Sequence, residues 1–326
     1  MLATGLIAMS ALAAGAQAEL KSRTFQFTYR TVVSEIPAGA KTLDVWIPYP
    51  VSDQNQVIHE VKISSPSAPV AIARSDRPDG QENTALYVHV DSPTEPVEVT
   101  MTVTATRREN AGHPDQLTPE EAKEYLKAEP LVPLDGPVKA VAEEAVKGKK
   151  GDAQKAQAIY EKVTGMMKYD KSGTGWGRGD ALFACDAKRG NCTDFHALII
   201  GAARSEGIPA RFAIGFPLPE KRGVGEIPGY HCWAELYVKG PNGGRWVPVD
   251  SSEAAKNPAK KEYFYGHHDE NRIEFSRGRY VKLAPTQKGE PLNFFVYPYV
   301  EVDGKKYDKV ERKFAFADQE QAVAQR

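Results

Sequence analysis

The sequence predicts an α+β fold, in which a strand-rich N-terminal domain precedes a core built on one buried helix. Residues 22–108 alternate apolar and polar side chains in short segments, a pattern typical of half-buried antiparallel strands. Residues 118–168 change to helical spacing, and another helical stripe begins near residue 192 and is followed by two strands. Together these observations predict a β-sandwich joined to a helix that packs on an antiparallel sheet.

Five segments supply the predicted strands of the N-terminal domain, and clusters of Pro, Gly, Asp and Ser separate them. Alternate side chains in each segment are apolar, so one face of every strand can be buried against a second sheet. The segments are TFQFTYRTVV, KTLDVWIPYP, VIHEVKI, ALYVHV and VEVTMTVTATR.

Two helices are predicted after these strands. Pro119, which two glutamates follow, starts a short helix, and Asp152 opens a longer one with a core-facing apolar stripe. The stripe consists of Ala156, Ile159, Val163 and Met166.

Strand signals return in RIEFSRGRYVKL and NFFVYPYVEVDGKKY, where Asp303-Gly304 predicts a hairpin turn. We therefore expect four parts in the chain. These are a leader (1–18), a β-sandwich domain (19–112), a core (113–256) and a β-rich C-terminal extension (257–326).

Composition limits the possible function classes. The 326 residues carry 42 Lys and Arg against 43 Asp and Glu, and no basic run is interleaved with aromatic residues. This near-neutral balance gives no basis for nucleic-acid binding. The length allows one large domain or two to three smaller ones, each with a sizeable core.

The first 20 residues resemble an export signal. MLATGLIAMSALAAGAQAEL has no charged side chain before Glu19, and Ala16-Gln17-Ala18 is the small-x-small pattern that signal peptidase reads. The positively charged start that signal peptides usually have is missing here. The alternative interpretation is an uncleaved anchor. No later segment approaches the roughly 20 apolar residues of a membrane span. We therefore expect a periplasmic or secreted protein with no membrane span after cleavage.

The most informative segment is RGNCTDFHALIIGAARSEGIPARF, residues 189–212. Its apolar residues recur at the spacing of a buried helix, and Gly207 ends the pattern. Cys192 falls in the first turn, where free N–H groups and the helix dipole favour a thiolate. Position alone therefore makes Cys192 a candidate nucleophile.

The two strands that follow offer partners for this thiol. In YHCWAELYV, strand alternation places His231 and Trp233 on one face and Cys232 on the other. Asp250 ends the next strand, RWVPVD. A His on one strand with an Asp on the next is the arrangement that orients an imidazole beside a thiol.

The segments GNCTDFHALIIGAARSEGIPARFAIGF, HCWAELYV and WVPVDSS resemble the core blocks of the transglutaminase-like superfamily, a branch of the papain-like cysteine-enzyme fold. The resemblance covers residues 160–255, roughly a third of the chain. It implies Cys192 as nucleophile, His231 as general base and acid, and Asp250 as the carboxylate that orients the histidine. The flanking strand-rich regions resemble bacterial exported members of the superfamily more weakly.

Two other interpretations of Cys192 stay open. It could be an inert buried thiol, or it could bind zinc together with His196, His231 and Cys232, which are suitable ligand types. Against zinc, His231 and Cys232 are expected on opposite faces of their strand.

Several neighbouring side chains have both a functional and a structural interpretation. His196 lies one turn after the nucleophile and could assist the thiolate or be hydrogen-bonded within the fold. Trp176, in GTGWGRGD, and Trp233 could line the substrate groove, support the oxyanion site or pack in the core. The histidine pair at 267–268 lacks clustered partners and is expected in a solvated or hydrogen-bonded turn.

The resemblance also implies a thioester mechanism. The thiolate attacks an amide carbonyl and the histidine protonates the leaving amine; an amine acceptor then gives transamidation and water gives hydrolysis. The upstream Gln of papain-like enzymes has no counterpart here, so the side-chain oxyanion donor is unassigned and the Cys192 backbone N–H is a candidate. No metal or other cofactor is predicted, since no acidic loop has calcium-binding spacing.

The loop PLPEKRGVGEIPG, residues 217–229, is predicted to border the substrate groove because it leads into the strand that carries His231. Lys221 and Arg222 are its candidate specificity residues.

The sequence has three cysteines, and an exported protein with one catalytic thiol has two left over. Cys185 and Cys232 are therefore a candidate disulfide, with a reduced, buried Cys232 as the alternative.

We expect an exported cysteine acyl-transfer enzyme that acts on amide bonds of protein or cell-wall peptide substrates. The alternative is a non-catalytic transglutaminase-like binding module attached to an envelope assembly. The sequence decides neither the substrate, nor between transamidation and hydrolysis, nor the oligomeric state.

Overall fold

The computed structural model describes residues 19–76, 82–240 and 243–319. The predicted leader, residues 1–18, lies outside these ranges.

Strands are the commonest regular elements of the described chain. They are β1 (Ser22–Val33), β2 (Thr42–Tyr49), β3 (Gln56–Ser64), β4 (Ala71–Asp76), β5 (Glu82–Asp91), β6 (Val97–Arg108), β7 (His113–Asp115), β8 (Lys168–Tyr169), β9 (Arg189–Gly190), β10 (Ala210–Pro217), β11 (Val224–Glu226), β12 (His231–Gly240), β13 (Gly243–Val249), β14 (Arg272–Arg277), β15 (Tyr299–Val302), β16 (Lys305–Lys306) and β17 (Glu311–Asp318). The helices are α1 (Pro119–Leu126), α2 (Gly136–Val146), α3 (Gly151–Met166), α4 (Ala181–Ala187), α5 (Cys192–Ser205) and α6 (Ser251–Lys256).

Two antiparallel sheets form the N-terminal part, in the strand orders β11-β17-β1-β6-β3 and β16-β15-β2-β5-β4. The alternate apolar side chains of β1, β6, β2 and β5 belong to one buried core, which also includes residues of α5, β10 and β14. The predicted N-terminal strands thus form two antiparallel sheets, each with a buried face. The predicted hairpin turn is present as well, with Asp303 at φ 51° and Gly304 at φ 70° between β15 and β16, the positive φ values that a two-residue turn of type I′ needs.

A third antiparallel sheet, in the order β14-β10-β12-β13-β7, supports the helical part. Helix α5 packs on β12 and β10, and α2, α3 and α4 pack around it. Every residue from Cys192 to Arg204 is buried. The structure thus has the α+β fold expected from the sequence, a buried helix on an antiparallel sheet beside the two N-terminal sheets.

Strands from the C-terminal segment, residues 257–326, belong to all three five-stranded sheets. β17 pairs with β1, β15 pairs with β2, and β14 pairs with β10. The division of the chain at residues 112 and 256 stays a prediction, but this pairing ties the C-terminal segment to both earlier parts.

Gly215 marks a very close backbone approach between β10 and β14. A Cβ atom there would lie 1.8 Å from the carbonyl oxygen of Ile273, and the strand register shifts at the same point. Gly215→Ala is therefore expected to lower the free energy of unfolding by about 1–3 kcal/mol, because the strands must move apart. Thermal unfolding followed by circular dichroism measures this loss.

Gly165→Ala is the matched control, since no atom lies within 4 Å of a Cβ built at that helical position. Alanine favours a helix over glycine, so the Tm of this variant should stay unchanged or rise. Equal Tm values for the two variants would contradict the steric argument.

Candidate active site

The start of α5 is held by a reciprocal cap. The Asn191 side chain accepts a hydrogen bond from the Thr193 N–H at 3.0 Å, and the Asp194 carboxylate accepts one from the Asn191 N–H at 3.0 Å. Cys192 is therefore the first helical residue, and its own N–H has no acceptor within the helix. Its side chain is almost fully buried, with 1 % exposure.

His231, the first residue of β12, lies between Cys192 and Asp250. Its Nε2 atom is 2.7 Å from Asp250 Oδ2, and its interaction with Cys192 lowers the pKa of that thiol. All three side chains are buried. The structure thus brings together the three residues that the resemblance implied as a triad.

Asp250 directly follows β13 and caps α6, so its carboxylate is held from several sides. Oδ1 accepts hydrogen bonds from the Glu253 N–H at 3.1 Å and the Ser252 hydroxyl at 3.0 Å. Oδ2 faces His231 and also accepts a 3.1 Å hydrogen bond from Arg272 Nη1. This network fixes the carboxylate that orients the imidazole.

The charges of the site favour a thiolate and an imidazolium. Burial alone would raise the pKa of the Cys192 thiol, but hydrogen bonds with Cys232 and His231, together with the charge on His231, lower it well below its usual value. Burial alone would lower the pKa of His231, but the charge and the hydrogen bond of Asp250 raise it to about 10. Both shifts favour a thiolate–imidazolium ion pair.

This ion pair predicts how alkylation of Cys192 by iodoacetamide depends on pH. Because the pKa of Cys192 is lowered, the thiolate persists as pH falls below the ordinary thiol range, so labelling should stay fast in mildly acidic buffer. In His231→Ala the favourable hydrogen bond and charge are gone, so the inflection should move to higher pH. Peptide-resolved labelling rates measure both profiles.

Cys185 is the internal reference for this measurement, because burial raises its pKa to about 11 and its labelling should be slow over the same range. Identical inflections for Cys192 in the wild type and in His231→Ala would show that no ion pair activates the thiol.

Cys232 lies close to Cys192. The two thiols shift each other's pKa, and the Cys232 Sγ lies 3.6 Å from His196 Nδ1. Helix α5, which carries both Cys192 and His196, packs directly on β12.

The predicted disulfide between Cys185 and Cys232 is wrong, since all three cysteines are free. Cys185 lies in α4, whereas Cys232 lies in β12. In the ranges that the structure describes, no group of three or more His, Cys, Asp or Glu side chains is arranged to hold a metal ion.

His196 is completely buried beneath the triad. Its Nδ1 donates a 2.8 Å hydrogen bond to the Cys192 carbonyl, and its Nε2 lies 3.6 Å from Asp250 Oδ1. Burial lowers its pKa, which favours the neutral ring. The hydrogen bond is the structural alternative considered for this residue, while direct assistance to the thiolate stays a prediction.

The two tryptophans differ in position. Trp176 is half-buried, and its indole N–H donates within its own loop to the Gly173 carbonyl at 3.2 Å. Trp233 is 1 % exposed, with the Arg272 guanidinium 4.9 Å above its ring and the His231 ring 6.0 Å away. Trp233 therefore packs beside His231, which is the structural alternative considered for it, while a role at the oxyanion site or in a substrate groove stays a prediction.

The histidines at 267 and 268 both pack against aromatic side chains. His268 is fully buried, and its ring lies 6.0 Å from that of Trp233 and 3.2 Å from the Val249 carbonyl. Burial lowers its pKa to about 3, so it stays neutral. His267 stacks on Tyr263.

Only the first residues of the predicted groove loop, 217–229, lie in a cavity next to His231. Pro217, Leu218 and Glu220 line a cavity of about 190 Å³ that also reaches His231. Arg222 points elsewhere, with Nη2 3.2 Å from the Ser22 carbonyl. The role of Lys221 and Arg222 in specificity stays a prediction.

Asp194 connects the start of α5 to the loop before α4, and this contact was not predicted from the sequence. Its carboxylate accepts hydrogen bonds from the N–H groups of Gly177 at 2.7 Å and Gly179 at 3.0 Å, in addition to that of Asn191. It therefore fastens the glycine-rich loop to the start of α5. Its position at the third residue of a helix predicts a capping contact but carries no signal for a loop 15 residues away.

Two tyrosines next to the thiol were missed as well. Burial, and after it the negative charge of Cys192, raises the pKa of Tyr169 and Tyr230 far above the usual phenol value. Both therefore remain neutral phenols. The Tyr230 hydroxyl accepts a 3.0 Å hydrogen bond from the Asn191 side-chain amide, which ties it to the helix cap.

The fold and this cluster resemble those of transglutaminase-like proteins. Residues 139–251 match the model of the transglutaminase-like superfamily, and this range contains α5, β12 and Asp250. The resemblance seen in the sequence is thereby confirmed for this segment.

Two individual proteins are similar over most of the chain. An uncharacterized protein of Haemophilus influenzae is 27% identical over 340 residues, which cover 89% of this chain and 90% of the relative. The crystal structure of a proposed cysteine protease from Cytophaga hutchinsonii is 13% identical, with a TM-score of 0.60, and covers 92% of this chain and 98% of that chain. The second likeness shows a shared fold. Among the described helices, none is long and apolar enough to cross a membrane.

Proposed function

We propose that the protein is an exported cysteine acyl-transfer enzyme that uses Cys192, His231 and Asp250 on amide bonds of protein or cell-wall peptide substrates. The observation that supports this most strongly is the position of His231, whose Nε2 lies 2.7 Å from Asp250 Oδ2 and whose charge lowers the pKa of the buried Cys192 thiol. A buried thiol with a lowered pKa beside a histidine with a raised pKa is an arrangement typical of functional sites.

The first half of the reaction forms a thioester. The Cys192 thiolate attacks the amide carbonyl carbon, and the Cys192 N–H at the start of α5 is available to the developing oxyanion. The His231 imidazolium then donates its proton to the leaving amine as the C–N bond breaks. His231 is left neutral, and Asp250 holds it in the same orientation.

The second half returns the enzyme to its starting state. Neutral His231 takes a proton from an incoming amine or water, which attacks the thioester carbonyl and releases Cys192 as a thiolate. An amine acceptor gives transamidation, and water gives hydrolysis. Because Cys192 is only 1 % exposed, substrate access requires flanking side chains to move.

The export part of the proposal rests on the leader-like segment MLATGLIAMSALAAGAQAEL. A periplasmic or extracellular location is compatible with peptide amides of the envelope as substrates. N-terminal sequencing of the protein from a cell fraction tests it, and a chain that begins at Glu19 is the expected result.

Mass spectrometry of envelope peptides tests the reaction. A panel is incubated with the wild type and with Cys192→Ala, and products that depend on Cys192 are sought. Loss of ammonia with a new cross-link indicates transamidation, and addition of water with cleavage or deamidation indicates hydrolysis. Identical peptide profiles with both proteins across the panel would contradict the proposal.

A further inference from the structure

The active site contains a second sulfur that the proposed mechanism does not use. Cys232 is 0 % exposed and directly follows His231 in the chain. His196 contacts both cysteines, because its Nδ1 lies 2.8 Å from the Cys192 carbonyl oxygen and 3.6 Å from the Cys232 sulfur. The two cysteines therefore lie on facing elements, α5 and β12, around one histidine nitrogen, and each thiol shifts the pKa of the other.

The two thiols have opposite protonation preferences. Burial, and after it the contact with Cys192, raises the pKa of Cys232 well above its usual value, while the pKa of Cys192 is lowered. Cys192 therefore favours the thiolate form and Cys232 the thiol form. Only a thiolate attacks an oxidant readily, and a thiol in contact with the oxidised sulfur is placed to resolve it.

We propose that Cys192 and Cys232 form a modification site for peroxides, at which the two thiols are converted into a reversible disulfide that blocks the nucleophile. The inference rests on the proposed function only for the reactivity of Cys192. The disulfide protects Cys192 from oxidation to sulfinic and sulfonic acids, which thiols do not reverse.

The chemistry has two balanced steps. Cys192 thiolate attacks one peroxide oxygen and the O–O bond breaks, which leaves a sulfenic acid on Cys192 and an alkoxide or hydroxide that takes the His231 proton. The Cys232 sulfur then attacks the Cys192 sulfur, the S–O bond breaks, and the hydroxyl group leaves as water with the Cys232 proton. Two thiols are oxidised by two electrons, and the peroxide is reduced.

Cys185 offers a matched comparison within the same chain. It lies in α4, its side chain is only partly buried, and burial raises its pKa to about 11. It therefore combines the same residue type with a different environment. The proposal predicts that Cys185 takes no part in the bridge.

The experiment treats the wild type, Cys232→Ala and Cys185→Ala with hydrogen peroxide, and measures masses and labelling by iodoacetamide before and after dithiothreitol. The wild type and Cys185→Ala should lose two hydrogens in intact mass, yield a linked Cys192–Cys232 peptide pair, and regain full labelling of Cys192 with dithiothreitol. Cys232→Ala should instead gain two or three oxygen atoms on Cys192, as sulfinic and sulfonic acids, and regain none of its labelling with dithiothreitol.

A linked pair that includes Cys185, or a Cys232→Ala protein that recovers as completely as the wild type, would overturn the inference. The peptide map of the wild type decides the question even if Cys232→Ala does not fold. If the protein catalyses acyl transfer but peroxide produces no Cys192–Cys232 disulfide, this inference alone is overturned. If the disulfide is mapped but the protein catalyses no acyl transfer, only the proposed function is overturned.

Discussion

Cys192→Ala is expected to abolish acyl transfer, with kcat lower by about 10⁴-fold or more. The substitution removes the attacking sulfur and only a small part of a buried side chain, so the fold should persist with a loss of about 1 kcal/mol in the free energy of unfolding. Turnover of an activated ester such as p-nitrophenyl acetate, together with thermal unfolding, measures both effects.

Cys185→Ala is the matched control and should keep wild-type turnover, because Cys185 lies in α4 outside the triad. His231→Ala should be nearly as severe as Cys192→Ala, since triad members act as a unit. Asp250→Asn should fold but lose much of the rate through a misoriented imidazole. Wild-type turnover by Cys192→Ala would show that another residue is the nucleophile.

Arg272→Met is expected to give the largest loss of stability, about 3–5 kcal/mol in the free energy of unfolding. Arg272 is 2 % exposed; its Nη1 donates to Asp250 at 3.1 Å, and its Nε and Nη2 donate to Asp269 at 3.1 Å. Its removal leaves two carboxylates without this cation in the interior. Chemical denaturation measures the loss.

Loss of this cation should also change the site itself. Arg272 helps to hold the pKa of Asp250 low, so the carboxylate should gain a proton more easily in the variant and hold His231 less firmly. Arg272→Lys keeps the charge but not the planar fork, so its stability should fall between those of the wild type and Arg272→Met. Wild-type stability of Arg272→Met would contradict the account of this ion pair.

Local patterns in the sequence were sufficient for most of the fold. The five N-terminal strands and the helices at Pro119 and Asp152 appear where alternation or helical spacing predicted them. Strand β4 was missed because it is an edge strand with an exposed Ile72, so it shows no alternation. Helix α2 was missed because it buries only Val138 and Ala142, too few for a stripe.

The candidate site was predictable where short segments define it. Cys192, His231 and Asp250 lie at a helix start, a strand start and a strand end, and the resemblance of those three segments implied their roles. Arg272 and Cys232 were not predictable as site residues. Their contacts depend on how β14 and α5 pack against β10 and β12, and this three-dimensional packing leaves no periodic pattern in the sequence.

Intact-mass analysis of the protein after brief reaction with p-nitrophenyl acetate and acid quenching tests the central claim most directly. We predict one acetyl group on Cys192 as a thioester that hydroxylamine removes, much slower acetylation in His231→Ala, and none at this position in Cys192→Ala. Acetylation of Cys192 no faster than that of Cys185, or at the same rate in the wild type and His231→Ala, would contradict it.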